Sequence, residues 1–479
     1  MPETTTPGNA TPETVLAGLP VVVIGAGPVG LAAAAHLVER SLVPLVLEEG
    51  PDVGASVRAW GHTRLFSPWE YNIDTAARRL LEAAGWASPD PQDLPTGAEL
   101  TERYLEPLSA TEALTGRIRT GTRVVAVSRS GLDKTRTAGR EQTPFLVRIR
   151  RADGTVEDQL ARAVIDASGT WCTPNPLGRA GLEAPGEAVA RAAGYITDPL
   201  PDVTGRERQR FAGRHVLVVG AGHSAANTLL DLASLAEDAP GTRISWAIRS
   251  ADVAKVYGGE DRDELAARGT LGTRLRRLVD SGAIAVHPSF TITGLTTRSG
   301  HVEVHARIPS RDQVLTVDLV VPATGFRPDL GPLSELRLDL DPAVEAPRQL
   351  GPLIDPEFHS CGSVEPHGER VLAHPEPGFY IVGMKSYGRA PTFLMATGYE
   401  QVRSIAAALS GDRAAADDVQ LDLPETGVCS TDLGGSCDAP ADSSEPADAC
   451  CSAPQPVTLL TVPPVGQSAL LPASQSTCC

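Results

Sequence analysis

Two stretches of this 479-residue sequence place glycine where a phosphate can be held. In Val21-Val22-Val23-Ile24-Gly25-Ala26-Gly27-Pro28-Val29-Gly30 an apolar run feeds glycines at G-x-G-x-x-G spacing, and an alanine-rich helical pattern follows. Gly25 allows a tight turn, Gly27 lets backbone N–H groups approach a pyrophosphate, Pro28 stands at the helix start, and Gly30 lets helix and sheet pack closely. Glu48 ends the next apolar strand, 18 residues after Gly30, where a carboxylate can take a ribose hydroxyl. The pattern returns in Val216-Leu217-Val218-Val219-Gly220-Ala221-Gly222-His223-Ser224-Ala225. The strand after it, Ile244 to Ile248, ends in Arg249, not in an acid. Either Arg249 is a solvated strand end, or it is the cation that a 2′-phosphate needs, which favours NADPH over NADH at the second turn.

Sulfur is the other reactive set. Six of the eight cysteines fall in the last 51 residues, and among them Cys450-Cys451 and Cys478-Cys479 are vicinal pairs. Thiolates select soft acceptors such as Zn(II), Cu(I), Hg(II) or trivalent arsenic. The framed C-x2-C spacing of a structural zinc site is missing, so these four thiols suit a two- or three-coordinate metalloid better, unless the tail is incidental. Cys172 and Cys361 stand alone, and no C-x-x-C dithiol occurs. Cys172 reads either as buried packing or as a thiol near the first site. His223 either contacts the nucleotide or fills the turn.

These groups need strands and helices to position them. The first strand, Val21 to Ile24, and the second, Pro44 to Leu47, are followed by an aromatic and polar segment: Arg58, Trp60, His62, Arg64, Phe66, Trp69 and Tyr71. It is either a core-forming loop or a wall beside a planar cofactor. Helical spacing covers Thr75 to Gly85 and Gly97 to Gly116, and short strands from Arg117 to Asp158 form a small antiparallel meander. Ala163 to Asp166 is another apolar strand, and it leaves through Ala167-Ser168-Gly169. The second half repeats this order: glycine turn, helix to Ala236, a further helix from Gly269 to Gly282, strands from Ala283 to Asp318, then Ala323-Thr324-Gly325. Late in the chain Gly378 to Met384 is a strand entering a turn at Gly383, and a helix opens near Thr397 and runs to about Leu409.

Composition narrows the class. A content of 42% hydrophobic and 21% charged residues fits a globular protein, and no apolar stretch is long enough for a membrane span. The net charge of −17 argues against nucleic acid as a partner. Isolated body cysteines and a thiol-bearing tail favour the cytoplasm. Met1 to Pro20 lacks the basic and apolar parts of a targeting segment, and the composition from Asp412 onward predicts disorder.

With both glycine motifs and both exits present, the chain resembles the two-dinucleotide-binding-domain flavoproteins over about residues 18 to 410, nearest to the flavin-dependent monooxygenases. The fold this implies is α/β, two nested Rossmann-like domains with an antiparallel insert and a disordered cysteine-containing tail. Its parts are a lead-in (1–17), an FAD-binding domain in two pieces (18–205 and 323–411), an NADPH-binding domain (206–322) and the acidic tail (412–479). The resemblance assigns Gly25, Gly27, Gly30 and Glu48 to FAD binding and Gly220, Gly222, Ser224 and Arg249 to NADPH binding, with Pro28, Gly169, His223, Gly325, Gly383 and Thr397 as further candidate cofactor-binding positions. The helix near Thr397 would aim its dipole at the flavin. Two departures stand out: Gly383 is followed by Met384 where reductases carry Asp, and the F-x-G-x-x-x-H element of flavin-containing monooxygenases is broken at Phe211-Ala212-Gly213-Arg214-His215. Trp60 to Trp69, Gly222 to Ala226 and Met384 to Thr392 are similar to flavoproteins of bacterial arsenic-resistance operons. That likeness implies a small-molecule substrate, with a trivalent arsenical as the candidate.

Overall fold

The computed structural model describes residues 16–257, 266–356, 364, 366–391 and 393–421. All lie in the first of two units of the chain, 1–434; the second, 435–479, falls outside them. β1 (Val21–Ile24), β2 (Pro44–Leu47) and β3 (Ile118–Arg119) lead into β4 (Thr122–Arg129), β5 (Phe145–Arg151) and β6 (Val156–Ala161), and the chain returns as β7 (Ala163–Asp166). The order then repeats. β8 (His215–Val219), β9 (Arg243–Ala247) and β10 (Ala285–His287) precede β11 (Thr291–Arg298), β12 (His301–Ile308) and β13 (Arg311–Val317), with β14 (Leu319–Val321) as the return. β15 (Phe379–Ile381) comes last and pairs with β7, not with any strand of the second half.

Two parallel sheets result, ordered β15-β7-β1-β2-β3 and β10-β9-β8-β14. The pattern explains why. β1, β2 and β7 are buried along their whole length, as strands covered on both faces must be, and their sequences are correspondingly continuous apolar runs. Val21, Val23 and Val46 face a helical layer, while Val22, Leu45 and Leu47 face the β4–β6 meander. In β5 the alternation is strict: Phe145, Val147 and Ile149 point inward and Arg148 and Arg150 outward, the period-2 signature of a half-solvated antiparallel strand. Of the strands expected from Ala283 to Asp318, β10 joins the parallel sheet and β11, β12 and β13 form a second antiparallel sheet, so each half carries its own insert.

Helix α1 (Pro28–Glu39) carries four fully buried alanines, Ala32 to Ala35, whose small side chains let it lie close to the sheet. Helices α2 (His223–Asp238) and α3 (Met395–Leu409) complete the site framework; α2 follows the second glycine turn, and α3 packs on α1. A buried carboxylate fastens the first insert: Glu376, fully buried, accepts 2.7 Å bonds from Arg129 and Arg140. Removing Glu376 would leave two buried guanidiniums without their carboxylate, the costly way to break such a cluster.

The tail begins later than its composition predicts. Asp412 caps a short helix, α4 (Arg413–Asp417), by accepting the Ala415 N–H. Arg413 reaches Glu369 at 2.7 Å, Arg370 reaches Asp417, and the Ser404 hydroxyl donates to the Ala416 carbonyl at 2.6 Å. Local polarity argued for disorder, but ion pairs to Glu369 and Arg370, over 40 residues away, and hydrogen bonds from Ser404 and Arg403 of α3 hold this segment in place. Residues 1–15 and 422–479, with Cys450, Cys451, Cys478 and Cys479, lie outside the described residues, as does Cys361. Among the described residues no helix is long and apolar enough to cross a membrane.

Candidate cofactor-binding sites

Each glycine turn sits at the carboxyl edge of its parallel sheet, the place where open α/β sheets bind ligands. In the first, Gly25 has φ +97° and its N–H donates to the Leu47 carbonyl at 2.7 Å. A Cβ on Gly25 would lie 2.8 Å from the Ala167 carbonyl oxygen, so the turn and the exit after β7 are in contact. In the second, the Gly220 N–H donates to Ala247 at 3.1 Å, and a Cβ there would run into the Ala323 carbonyl. The Trp246 indole N–H fixes that turn by donating to the Gly220 carbonyl at 2.7 Å. Gly27 and Gly222 differ from these: nothing lies within 4 Å of where their Cβ atoms would be. Two rigid turns, each open at its middle glycine and followed by a helix N-terminus, are cradles of the kind a diphosphate occupies.

Glu48 lies directly beside the first turn and is nearly buried. Its carboxylate accepts the Ala26 N–H at 2.6 Å and the Gly50 N–H at 2.8 Å, which leaves lone pairs for ribose hydroxyls. The backbone register shows that Arg249 is not its counterpart. Gly25 bonds Leu47 and Gly220 bonds Ala247, so Glu48 corresponds to the buried Ile248 and the exposed Arg249 to Glu49. The second turn therefore lacks the carboxylate and offers a cation one residue further on.

Around the start of α1 the structure gathers three expected positions. Gly169 (φ +69°) lies in the exit, Gly383 (φ +66°) packs on Val29, and Thr397, buried, begins α3 beside them. The Gly383 N–H donates to Gln401 at 2.8 Å, and Gln401 also bonds Ser386 and His367, locking the late turn to α3. Gly325 lies instead where the two exits meet. The Thr324 hydroxyl donates to the Asn175 carbonyl at 2.6 Å, the Asn175 N–H donates to Gly325, and the Trp171 and Phe326 rings stack 5.0 Å apart. The two chain crossings between the sheets are thus fastened to one another.

The aromatic segment is core at one end and reaches the second half at the other. Trp69 is buried under Arg103, whereas Phe66 reaches the second half and packs on His223 with ring centroids 4.8 Å apart. Ser224 follows in the first turn of α2 and accepts, through its carbonyl, the Thr228 hydroxyl. Between the modules, both ring nitrogens of His62 are buried beside Pro201 and Asp202, and burial lowers its pKa. Cys172 is an exposed residue whose thiol is partly desolvated and faces Glu49; both effects raise its pKa, so it stays a thiol. Among the described residues no three His, Cys, Asp or Glu cluster as a metal site.

Beside the first turn lies a buried charge cluster that sequence reading missed. The Lys385 ammonium donates to Asp166 at 2.7 Å and to the Ser168 hydroxyl at 3.1 Å, and Ser168 donates to Asp166 at 2.6 Å. Lys385 is 3% exposed and Asp166 1%. The available signal was rarity: Lys385 is one of only three lysines in the chain.

Paired glycine turns on nested parallel sheets define the class as a two-dinucleotide-binding oxidoreductase fold. The chain belongs to the pyridine nucleotide-disulphide oxidoreductase family, whose profile matches residues 22–349, and it is a flavin-dependent oxidoreductase. It is 26% identical over 393 residues to a ferredoxin–NADP reductase of Rhodospirillum rubrum, covering 81% of this chain and 89% of that protein. A second such reductase, from Paramagnetospirillum magneticum, is 27% identical over 139 residues, which span 28% of this chain but only 36% of the relative. The fold is shared with bacillithiol disulfide reductase of Bacillus cereus (TM-score 0.60, 20% identity, 82% of this chain and 99% of that one). It is also shared with the FAD-bound cadaverine monooxygenase of desferrioxamine biosynthesis from Erwinia amylovora (TM-score 0.55, 14% identity, 86% and 98%).

Proposed function

We propose that this protein oxidises NADPH through FAD and transfers oxygen to a small molecule. The observation that carries the cofactor assignment is the contrast between the two open turns, buried Glu48 beside one and Ile248 followed by Arg249 beside the other. A carboxylate suits the free ribose hydroxyls of FAD and would repel a 2′-phosphate. On this reading Gly25, Gly27, Pro28, Gly30 and Glu48 hold the adenosine diphosphate of FAD, with Gly169, Gly383 and Thr397 lining the flavin end. Gly220, Gly222, His223, Ser224 and Arg249 hold NADPH, and Gly325 keeps the crossing in place. FAD binding spans 18–205 and 323–411, and NADPH binding 206–322. When bound, the flavin supplies two-electron redox chemistry, while the chain's own groups orient both dinucleotides and exclude water.

Support for oxygen transfer over disulfide reduction comes from the thiols: Cys172 is the one cysteine among the described residues, and its pKa is raised, not lowered. A trivalent arsenical is the first substrate we would test, on the strength of the tail thiols Cys450, Cys451, Cys478 and Cys479 and the Trp60–Trp69 sequence. The cytoplasm is the compartment in which such thiols stay reduced. The ferredoxin–NADP reductase relatives favour a second reading, electron delivery without oxygen transfer.

The deciding experiment follows NADPH, oxygen and peroxide together in the purified flavin-loaded protein. Arsenite, methylated trivalent arsenicals, amines and thioethers are offered in turn. Oxygen transfer requires product equal to NADPH consumed with little peroxide. NADPH oxidation that yields only peroxide, or that proceeds without oxygen to an electron acceptor, overturns it. Truncation after Leu421, which spares α4, tests the tail: unchanged arsenical turnover and unchanged arsenite resistance remove it from the function.

A further inference from the structure

We propose that Lys385 is a cofactor-positioning cation whose ammonium, held by Asp166 and Ser168, contacts the FAD diphosphate at the first glycine turn. The inference rests on the assignment of that turn to FAD. An ammonium has three N–H donors. Asp166 takes one at 2.7 Å and Ser168 another at 3.1 Å, and no acceptor among the described residues takes the third.

Location gives that remaining donor a direction. Asp166 ends β7 in register with Ile24 of β1 and Ile381 of β15, so the cluster stands at the carboxyl edge of three adjacent strands. Ser168 borders the turn itself: its Cα would lie 3.1 Å from a Cβ on Gly25. It is exposed although Lys385 and Asp166 are buried, which puts the ammonium just beneath the open surface of the crevice. The turn that carries Lys385 begins at Gly383, and Gly383 packs on Val29 in the first turn of α1.

Electrostatics supplies the reason for a cation here. Glu48 and Asp166 both bring negative charge to the crevice, where a diphosphate would add two more. Lys385 opposes that charge. A buried ion pair is an expensive way to gain stability, since apolar residues of similar volume usually serve as well. At the rim of an anion cradle it has a use that apolar residues cannot replace.

The test compares apoprotein of wild type, Lys385→Arg and the charge-neutral double variant Asp166→Asn/Lys385→Met, each titrated with FAD and melted without it. Wild type that takes up no FAD refutes the cofactor assignment itself, independently of Lys385. Given wild-type binding, the double variant is expected to bind FAD about 10- to 100-fold more weakly at an unchanged apoprotein melting temperature, with Lys385→Arg within a few-fold of wild type. Double-variant affinity equal to wild type overturns the proposal. A second measurement covers the case in which the double variant does not fold: the phosphorus NMR resonances of bound FAD in wild type and Lys385→Arg. Direct contact requires the diphosphate signals to move when ammonium becomes guanidinium, and unmoved signals overturn it.

Discussion

At the scale of single residues, the proposed cofactor assignment gives the two middle glycines a role in binding that is separable from folding. Gly27 and Gly222 have open space where a side chain would stand, whereas Gly25 and Gly220 are pressed against exit carbonyls at positive φ. Gly222→Ala should therefore leave the melting temperature unchanged while raising KM for NADPH at least about tenfold, because the methyl enters the diphosphate space. Steady-state kinetics and a thermal melt check both halves. Arg249 makes a different prediction. Loss of one charge-assisted contact to a 2′-phosphate should cut kcat/KM for NADPH about 10- to 100-fold in Arg249→Ala and leave NADH nearly unaffected. No fall with either nucleotide would return Arg249 to the role of a solvated strand end.

Elements show why the residues hold their positions. α1 owes its close approach to its buried alanines, and α3 packs on it while the Gln401 network ties α3 to the late turn at Gly383. α2 carries a liability. Asp231 is partly buried, and desolvation together with the charge of Asp202 raises its pKa to about 6, against the opposing pull of Arg274. The folded-state pKa lies above the unfolded value, so folding favours the protonated form. Ionised Asp231 therefore costs stability above pH 6, and the cost disappears as pH falls through that range toward 4. Asp231→Asn is expected to stabilise the protein at pH 8 by up to about 3 kcal/mol, with the gain vanishing near pH 4. Urea denaturation at the two pH values measures it, and an equal effect at both would reject burial as the cause.

The whole molecule is a repeat with a late return: the second half sits between β7 and β15, which nonetheless pair directly. Acid should weaken it through His374, two residues before Glu376, where burial lowers the pKa from 6.5 to about 4. Here the folded value is the lower one, so the contribution is complete above pH 6.5 and is lost as pH falls toward 4, for up to about 3 kcal/mol. His374→Leu should flatten that part of the stability–pH curve. A slope unchanged in the variant assigns acid sensitivity elsewhere, Glu376 with its two arginines being the next group to test.

Much of this was legible in the chain alone. Val21 to Gly30 and Val216 to Ala225 announce strand, turn and helix because buried parallel strands demand unbroken apolar runs and only glycine accepts the turn. From those runs and turns followed the α/β class and the two open turns, while strand and helix periodicity elsewhere gave the meander after Arg117 and the helix near Thr397. Tertiary structure decided what depends on register and long-range packing. It paired Glu48 with Ile248 in place of Arg249, brought Phe66 onto His223, moved the start of the tail past α4 and set Lys385 between Asp166 and Ser168. The physical reason is range. Turn chemistry and periodicity act over a few residues and leave their mark in sequence, whereas an ion pair spanning 219 residues leaves none until the sheet has brought its partners together.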